Sequence, residues 1–242
     1  MVIFRAFFVC LCLTSYLGPS IGELSPAFSD LNIGTQNICG ETVPPQYASD
    51  IDPVHDVTIP PSFRRDAHRL ERKALQLKRS VSDLLRLYES DRLLRSVDVD
   101  RIQYFPPCFQ LINRTSYVLT SDLSPLTIYQ SLRHDLETMT DFLGMLELMT
   151  EDEETFENSE FIQSFRQIKI NTKSLLCQLS FSLSGLESSV PATVVTIRLE
   201  NWCVAEGADD CWRCNRDSMI LSMLDKLCFT LREKYRHIRR NM

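Results

Sequence analysis

An all-α fold, an up-up-down-down four-helix bundle with two long crossover loops and disulfide stabilisation, is predicted by three observations. Four segments carry apolar residues that alternate every three and four positions, the signature of one buried helical face. The connections between them are long, short and long. Cys108, Cys203, Cys211 and Cys214 fall within or at the ends of the long connections, where a loop has no core of its own.

The first helix is expected over residues 62–95. Its stripe is Phe63, Ala67, Leu70, Ala74, Leu77, Val81, Leu84 and Tyr88, and Arg65, Glu71, Arg72, Lys73, Lys78, Arg79, Asp83 and Arg86 solvate the other faces. Pro60-Pro61-Ser62 precedes it, with Ser62 as N-cap. A second helix is expected over 124–149, opened by Ser124 as cap and Pro125 at the first helical position. Its stripe is Tyr129, Leu132, Leu136, Met139, Leu143 and Leu146, and the acidic run Glu151–Glu154 reads as a solvated turn that stops it. The third, over 158–185, has Asn158 as cap, the stripe Phe161, Phe165, Ile168, Thr172, Leu175 and Leu179, and Gly185 and Pro191 at its end. The fourth, over 215–239, carries Ile220, Leu224, Leu227, Leu231 and Ile238, with Cys228 beside the stripe and a basic C-terminus.

Loop length sets the expected topology. Helices of roughly 25 residues are roughly 38 Å long. A parallel neighbour therefore needs a return of about a dozen extended residues at ~3.3 Å each. The middle connection is too short for that, so helices two and three must be antiparallel. The outer connections are long enough for one–two and three–four to run parallel, which is the up-up-down-down order.

Residues 1–22 read as a secretory signal peptide: Arg5, then an apolar run from Ala6 to Leu17, then the small-x-small site Ser20-Ile21-Gly22. The apolar run is too short to span a bilayer, which takes ~20 helical residues. Residues 23–61 contain no Lys or Arg and read as an extended acidic N-terminal arm, pinned at Cys39. Residues 62–242 form the helical domain. The chain is expected to be secreted and extracellular. In an oxidising compartment the seven cysteines outside the signal, Cys39, Cys108, Cys177, Cys203, Cys211, Cys214 and Cys228, are disulfide candidates, with an odd one left for a second chain. Asn113 opens a glycosylation sequon, Asn113-Arg114-Thr115.

The chemistry of an enzyme is not apparent. No glycine-rich phosphate loop or nucleophile elbow occurs, and His55, His68, His134 and His237 lack the i, i+4 spacing of a helical zinc site. No catalytic residue, cofactor or metal is therefore expected. A net charge of −6 argues against nucleic acid as the main ligand. The cluster Cys203, Cys211-Trp212-Arg213-Cys214 has the residues for structural disulfides, for zinc ligands or for a redox C-x-x-C; the first suits a helical chain best.

Signal peptide, four long helices, long–short–long connections and loop cysteines together resemble the long-chain helical cytokines. The nearest group is the interleukin-6 type, which includes ciliary neurotrophic and leukaemia inhibitory factors, the interleukin-12 alpha subunit and the insect unpaired ligands. Ile128-Tyr129-Gln130-Ser131-Leu132, opening helix two, and the tryptophan before a basic-ended last helix are similar to that group. The resemblance spans about Phe63 to Arg240. It implies a ligand that binds and clusters single-pass cell-surface receptors and signals through their associated kinases, without catalysis. It places receptor contacts at Trp212 and at Arg232, Arg236 and Arg239, with a third surface on helices one and three. Where the neurotrophic subgroup has Phe-x-x-Lys, this chain has Trp212-Arg213-Cys214-Asn215. An unpaired cysteine is similar to the covalent partnering of the interleukin-12 alpha subunit. Two other readings stand beside this one: a secreted helical carrier of a lipid or small molecule, and a peptide-hormone precursor cleaved at Arg64-Arg65.

Overall fold

A computed structural model describes residues 57–92, 123–155, 160–186 and 210–242, the side chains of 210–212 excepted. Four helices account for nearly all of them: α1 Phe63–Arg92, α2 Pro125–Thr155, α3 Ile162–Ser184 and α4 Asp210–Asn241. The connections run over 93–124, 156–161 and 185–209, so the long–short–long pattern holds. The arm (23–61) and the signal segment lie almost wholly outside the described residues.

Each helix forms where the apolar period is strongest. All eight stripe residues of α1 are buried. In α2 every stripe residue but the partly buried Tyr129 is buried, and in α3 all six are. Phe63, Tyr88, Phe142, Phe165 and Tyr235 are the bulkiest side chains removed from solvent, and Met139, Leu143 and Leu146 fill the space among them. Their burial is the main force holding four amphipathic rods side by side.

The caps are local where the sequence supplies them. Ser62 accepts the N–H groups of Arg65 (2.8 Å) and Asp66 (3.4 Å) through its carbonyl. The Thr127 N–H donates to Ser124 Oγ at 3.4 Å, and that of Ile128 to the Ser124 carbonyl at 3.0 Å, so Ser124 caps α2 as expected. Upstream of α1, the Thr58 N–H reaches the Leu186 carbonyl (3.4 Å), and Val57 and Ile59 pack on the core beside the end of α3.

Side-chain partners fix the directions. Between α1 and α4, Glu71 meets Arg236, Lys78 meets Asp225, and Tyr88 meets Asp217: descending numbers against ascending ones. Between α1 and α3, Gln76 bonds Asn171 and Tyr88 meets Phe165 edge-to-face. Between α2 and α3, Glu147 pairs with Lys173 and Glu154 with Arg166. All three pairings are antiparallel, and the α1·α4 and α2·α3 packing is compatible with the up-up-down-down order.

Two local expectations fail. The acidic run Glu151–Glu154 is not a turn: α2 continues through it to Thr155, and Glu153 is buried at 2% exposure. Burial is possible because its Oε1 accepts from the Phe161 N–H at 2.9 Å and from Arg92 at 3.3 Å. The second correction concerns the cysteines. Cys214 and Cys228 are reduced, buried thiols rather than half-cystines. Cys228 is wholly enclosed in the core beside the α4 stripe, where apolar packing takes the place of a bridge. Cys177 on α3 is disulfide-bonded. The other candidates, Cys39, Cys108, Cys203 and the Cys211 side chain, and the proposed cap Asn158, lie outside the described residues.

Candidate functional site

Of the residues singled out as receptor contacts, Arg232, Arg236 and Arg239 at the basic end of α4 are the ones whose side chains are described. Arg232, Arg236 and Arg239 share a face, as their i, i+4, i+7 spacing requires. They do not project freely. Arg236 Nε lies 3.3 Å from Glu71 Oε1 on α1, and its Nη1 donates to both oxygens of Glu233 at 3.1 Å. Arg239 Nε sits 2.8 Å from Glu71 Oε2, a charge contact without hydrogen-bond alignment. Arg232 Nη1 approaches Glu233 Oε1 at 3.5 Å. Glu71 thus clasps the last turns of α4 to the third turn of α1, with the three arginines 25–33% exposed. Partly exposed pairs of this kind contribute about 0.2–1 kcal/mol each, so the clasp leaves the guanidinium edges available to a partner.

Trp212 belongs to the first turn of α4, but its side chain lies outside the described residues, as does Asn113. The structure therefore brings Arg236 and Arg239 together on one carboxylate, adds Arg232 through Glu233, and leaves the tryptophan epitope without geometry.

The interior holds two charged clusters, one near each end of the α2–α4 contact. In the first, Asp135 Oδ1 accepts from Lys234 Nζ at 2.5 Å and Asp135 Oδ2 from the Tyr235 hydroxyl at 2.6 Å. Lys234 also donates to Ser131 Oγ at 2.9 Å. Burial raises the Asp135 pKa, and the Lys234 charge and hydrogen bond work against that rise. Burial likewise pushes the Tyr235 phenol well up, with the Asp135 charge adding to it.

In the second cluster, Arg216 binds Asp217 on its own helix (2.6 Å) and Asp152 on α2 (2.7 Å). The Tyr88 hydroxyl donates to Asp217 Oδ2 at 3.3 Å, and its ring packs against Phe161 and Phe165 with centroids 5.2 and 5.9 Å apart. Burial pushes the Asp217 carboxyl up to about 6 despite the Arg216 charge. It opposes the Arg216 charge too, but the two carboxylates more than offset this and the guanidinium stays above its ordinary value. Tyr88 is raised by burial, then by the Asp217 charge.

Sequence reasoning missed both clusters. A signal was present for Tyr235, which sits four after Leu231 and three before Ile238 and so completes the α4 stripe. Asp135, Lys234 and Arg216 offered none, because a charged residue at a buried position looks like a break in the pattern. The arrangement keys helices together, Asp135 of α2 to Lys234 and Tyr235 of α4, and Asp152 of α2 to Arg216 of α4. Among the described residues no group of His, Cys, Asp and Glu is placed to hold a metal ion, and no helix of the described residues is long and apolar enough to cross a membrane.

Comparison with protein-family models, curated proteins and solved structures finds no match to this chain.

Proposed function

We propose that this chain is a secreted helical ligand of the cytokine or growth-factor type, which binds and clusters single-pass cell-surface receptors and signals through their associated kinases. The observation that carries the reading is the bundle itself. Four helices of 23–32 residues, joined long–short–long and antiparallel in the α1·α4 and α2·α3 pairs, give a rigid rod whose activity must reside on its outside. The interior supports this: its centre is filled by Tyr88, Phe142, Phe165 and Tyr235, and its charges are spent on one another. The signal-like start of the sequence and the bonded Cys177 suit an extracellular protein. The finer topology, up-up-down-down with disulfide-braced crossovers, belongs to the same proposal.

The receptor surfaces are Trp212 at the start of α4 and the Arg232, Arg236, Arg239 edge at its end. Because Glu71 holds two of these arginines, two variants separate contact from clasp. In the triple Arg→Ala variant both are lost. In Glu71→Gln the guanidinium groups remain and only the clasp is released. Purified protein is measured for cell-surface binding, followed by crosslinking to the receptor chain. The reading requires saturable binding, strongly reduced by Trp212→Ala and by the triple variant and retained by Glu71→Gln; strong anchors of this kind lose ~2 kcal/mol or more on truncation. Absence of any saturable binding to a survey of responsive cells would remove the receptor reading. Equal losses in Glu71→Gln and the triple variant would reassign the arginines to structure.

A further inference from the structure

Helix α1 has a face that neither the core nor its neighbours use. Arg65, Arg72, Arg79 and Arg86 recur every seven residues, opposite the buried stripe, and all four are exposed. Seven residues are two helical turns, so the guanidinium groups form one row with steps of about 10 Å and a length of about 32 Å. Most described arginines elsewhere are engaged: Arg69 with Asp66, Arg92 with Glu153, Arg133 with Glu137, Arg166 with Glu154. Arg65, Arg72 and Arg79 have no ion pair among the described residues. Arg86 has only Asp83, at 3.9 Å with both groups more than 70% exposed. The contrast extends to composition. Helix α1 carries nine Lys and Arg against five Asp and Glu, in a chain whose net charge is −6. A net acidic protein that concentrates unneutralised arginine along one ridge has a local field there opposite to its overall one.

We infer that this ridge is a binding track for a linear sulfated polysaccharide. A single file of charges matches a chain-like polyanion better than a flat one: a lipid surface would meet a broad basic face together with inserting apolar residues, and only Leu87 stands exposed beside the row. Guanidinium is the cation suited to oxyanions, since its planar fork presents paired N–H donors to two oxygens of one group. Four of these, with no partner nearer than 3.9 Å, are available to sulfate without first breaking a bridge. The track lies on the exposed face of α1, whereas the α4 arginines are engaged by Glu71 and Glu233. The polysaccharide would thus hold the protein at a cell or matrix surface while the α4 surfaces stay open. The inference rests on the extracellular reading, but not on any receptor.

The test is heparin binding by the purified full chain, measured by calorimetry and by salt elution from immobilised heparin. Arg65, Arg72, Arg79 and Arg86 are replaced together by Gln; Arg72→Gln/Arg79→Gln is made beside it, with Arg133→Gln/Arg166→Gln as its charge-matched control elsewhere. Four exposed charge contacts of ordinary strength multiply to a loss of about 30-fold in affinity, with a shallower salt dependence. The control pair keeps binding within about threefold. Should the fourfold variant misfold by circular dichroism, Arg72→Gln/Arg79→Gln carries the test with about a fivefold loss. The inference is overturned if wild type does not bind heparin, if desulfated heparin binds equally well, if the row variants bind like wild type, or if acidic peptides or anionic vesicles compete better than heparin does. None of these outcomes depends on cell-surface receptor binding, so the two readings fail separately.

Discussion

Replacing Lys234 by Met tests whether the buried charges behave as a matched pair. Asp135 and Lys234 are each about 3% exposed, and the ammonium is the principal charge facing the carboxylate. In the variant Asp135 retains the Tyr235 hydroxyl at 2.6 Å, with the His134 charge as a minor influence. An orphaned buried charge of this type costs about 3–5 kcal/mol. The surviving hydroxyl bond argues for the lower end, about 3 kcal/mol, which lowers Tm by roughly 6–12 °C for a domain of this size. The double variant Asp135→Leu/Lys234→Met removes both charges and should return to within ~1 kcal/mol of wild type or exceed it. The single variant has a further mark. Its carboxyl, stripped of the ammonium, is pushed further above the unfolded value near ~3.9. The folded state then holds a proton that the unfolded state has lost, so stability falls as pH rises through that window, by up to about 1.4 kcal/mol per pH unit, and is best retained in acid. Urea unfolding of the three proteins at several pH values measures all of this. A single variant within ~0.5 kcal/mol of wild type, or a double variant as unstable as the single, refutes the reasoning.

Asp217, raised to about 6 by burial, should make wild-type stability fall between about pH 4 and pH 6, because protons leave the unfolded carboxyl first; the component is absent from Asp217→Asn, and superimposable pH profiles of ΔG would exclude it. Glu153→Ala strips both the Phe161 N–H and Arg92 of their acceptor and should cost about 3 kcal/mol in urea unfolding, whereas Glu153→Gln, which can still accept from the N–H, should cost less. Cys228, fully enclosed and raised by burial, should resist a thiol reagent in the native protein and react at once on unfolding; rapid native labelling would place it elsewhere.

What was readable in the sequence, and what was not, divides along a physical line. The α1 stripe from Phe63 to Tyr88 appears unchanged as the buried face, because apolar spacing and helix packing report the same period. Ser124-Pro125 marked the start of α2 because that cap is made by neighbours in the chain. α3 starts at Ile162 rather than at 158, and the N–H of its N-cap Phe161 is served by Glu153, eight residues upstream. Lys234 and Arg216 were read as solvated or passed over, since their burial depends on Asp135 and Asp152, about 100 and 64 positions away. The arginine edge was correctly grouped on one face, but Glu71, which occupies it, belongs to another helix. Charge partners across a bundle leave no local trace.

The Glu153 contact also bears on the order in which the chain folds. Phe161, the N-cap of α3, makes no side-chain cap of its own, and the acceptor for its N–H is anchored by Arg92 at the end of α1. The first turn of α3 is therefore completed only once three helices have met, and as a separate peptide it should fray there. Such a contact should form after the rate-limiting ensemble. Glu153→Ala should accelerate unfolding by nearly its whole equilibrium effect and leave the refolding limb of the chevron almost unmoved, a φ-value near zero. A refolding rate that drops in proportion would instead put this three-helix corner in the nucleus, making the shortest connection in the chain the place where assembly begins.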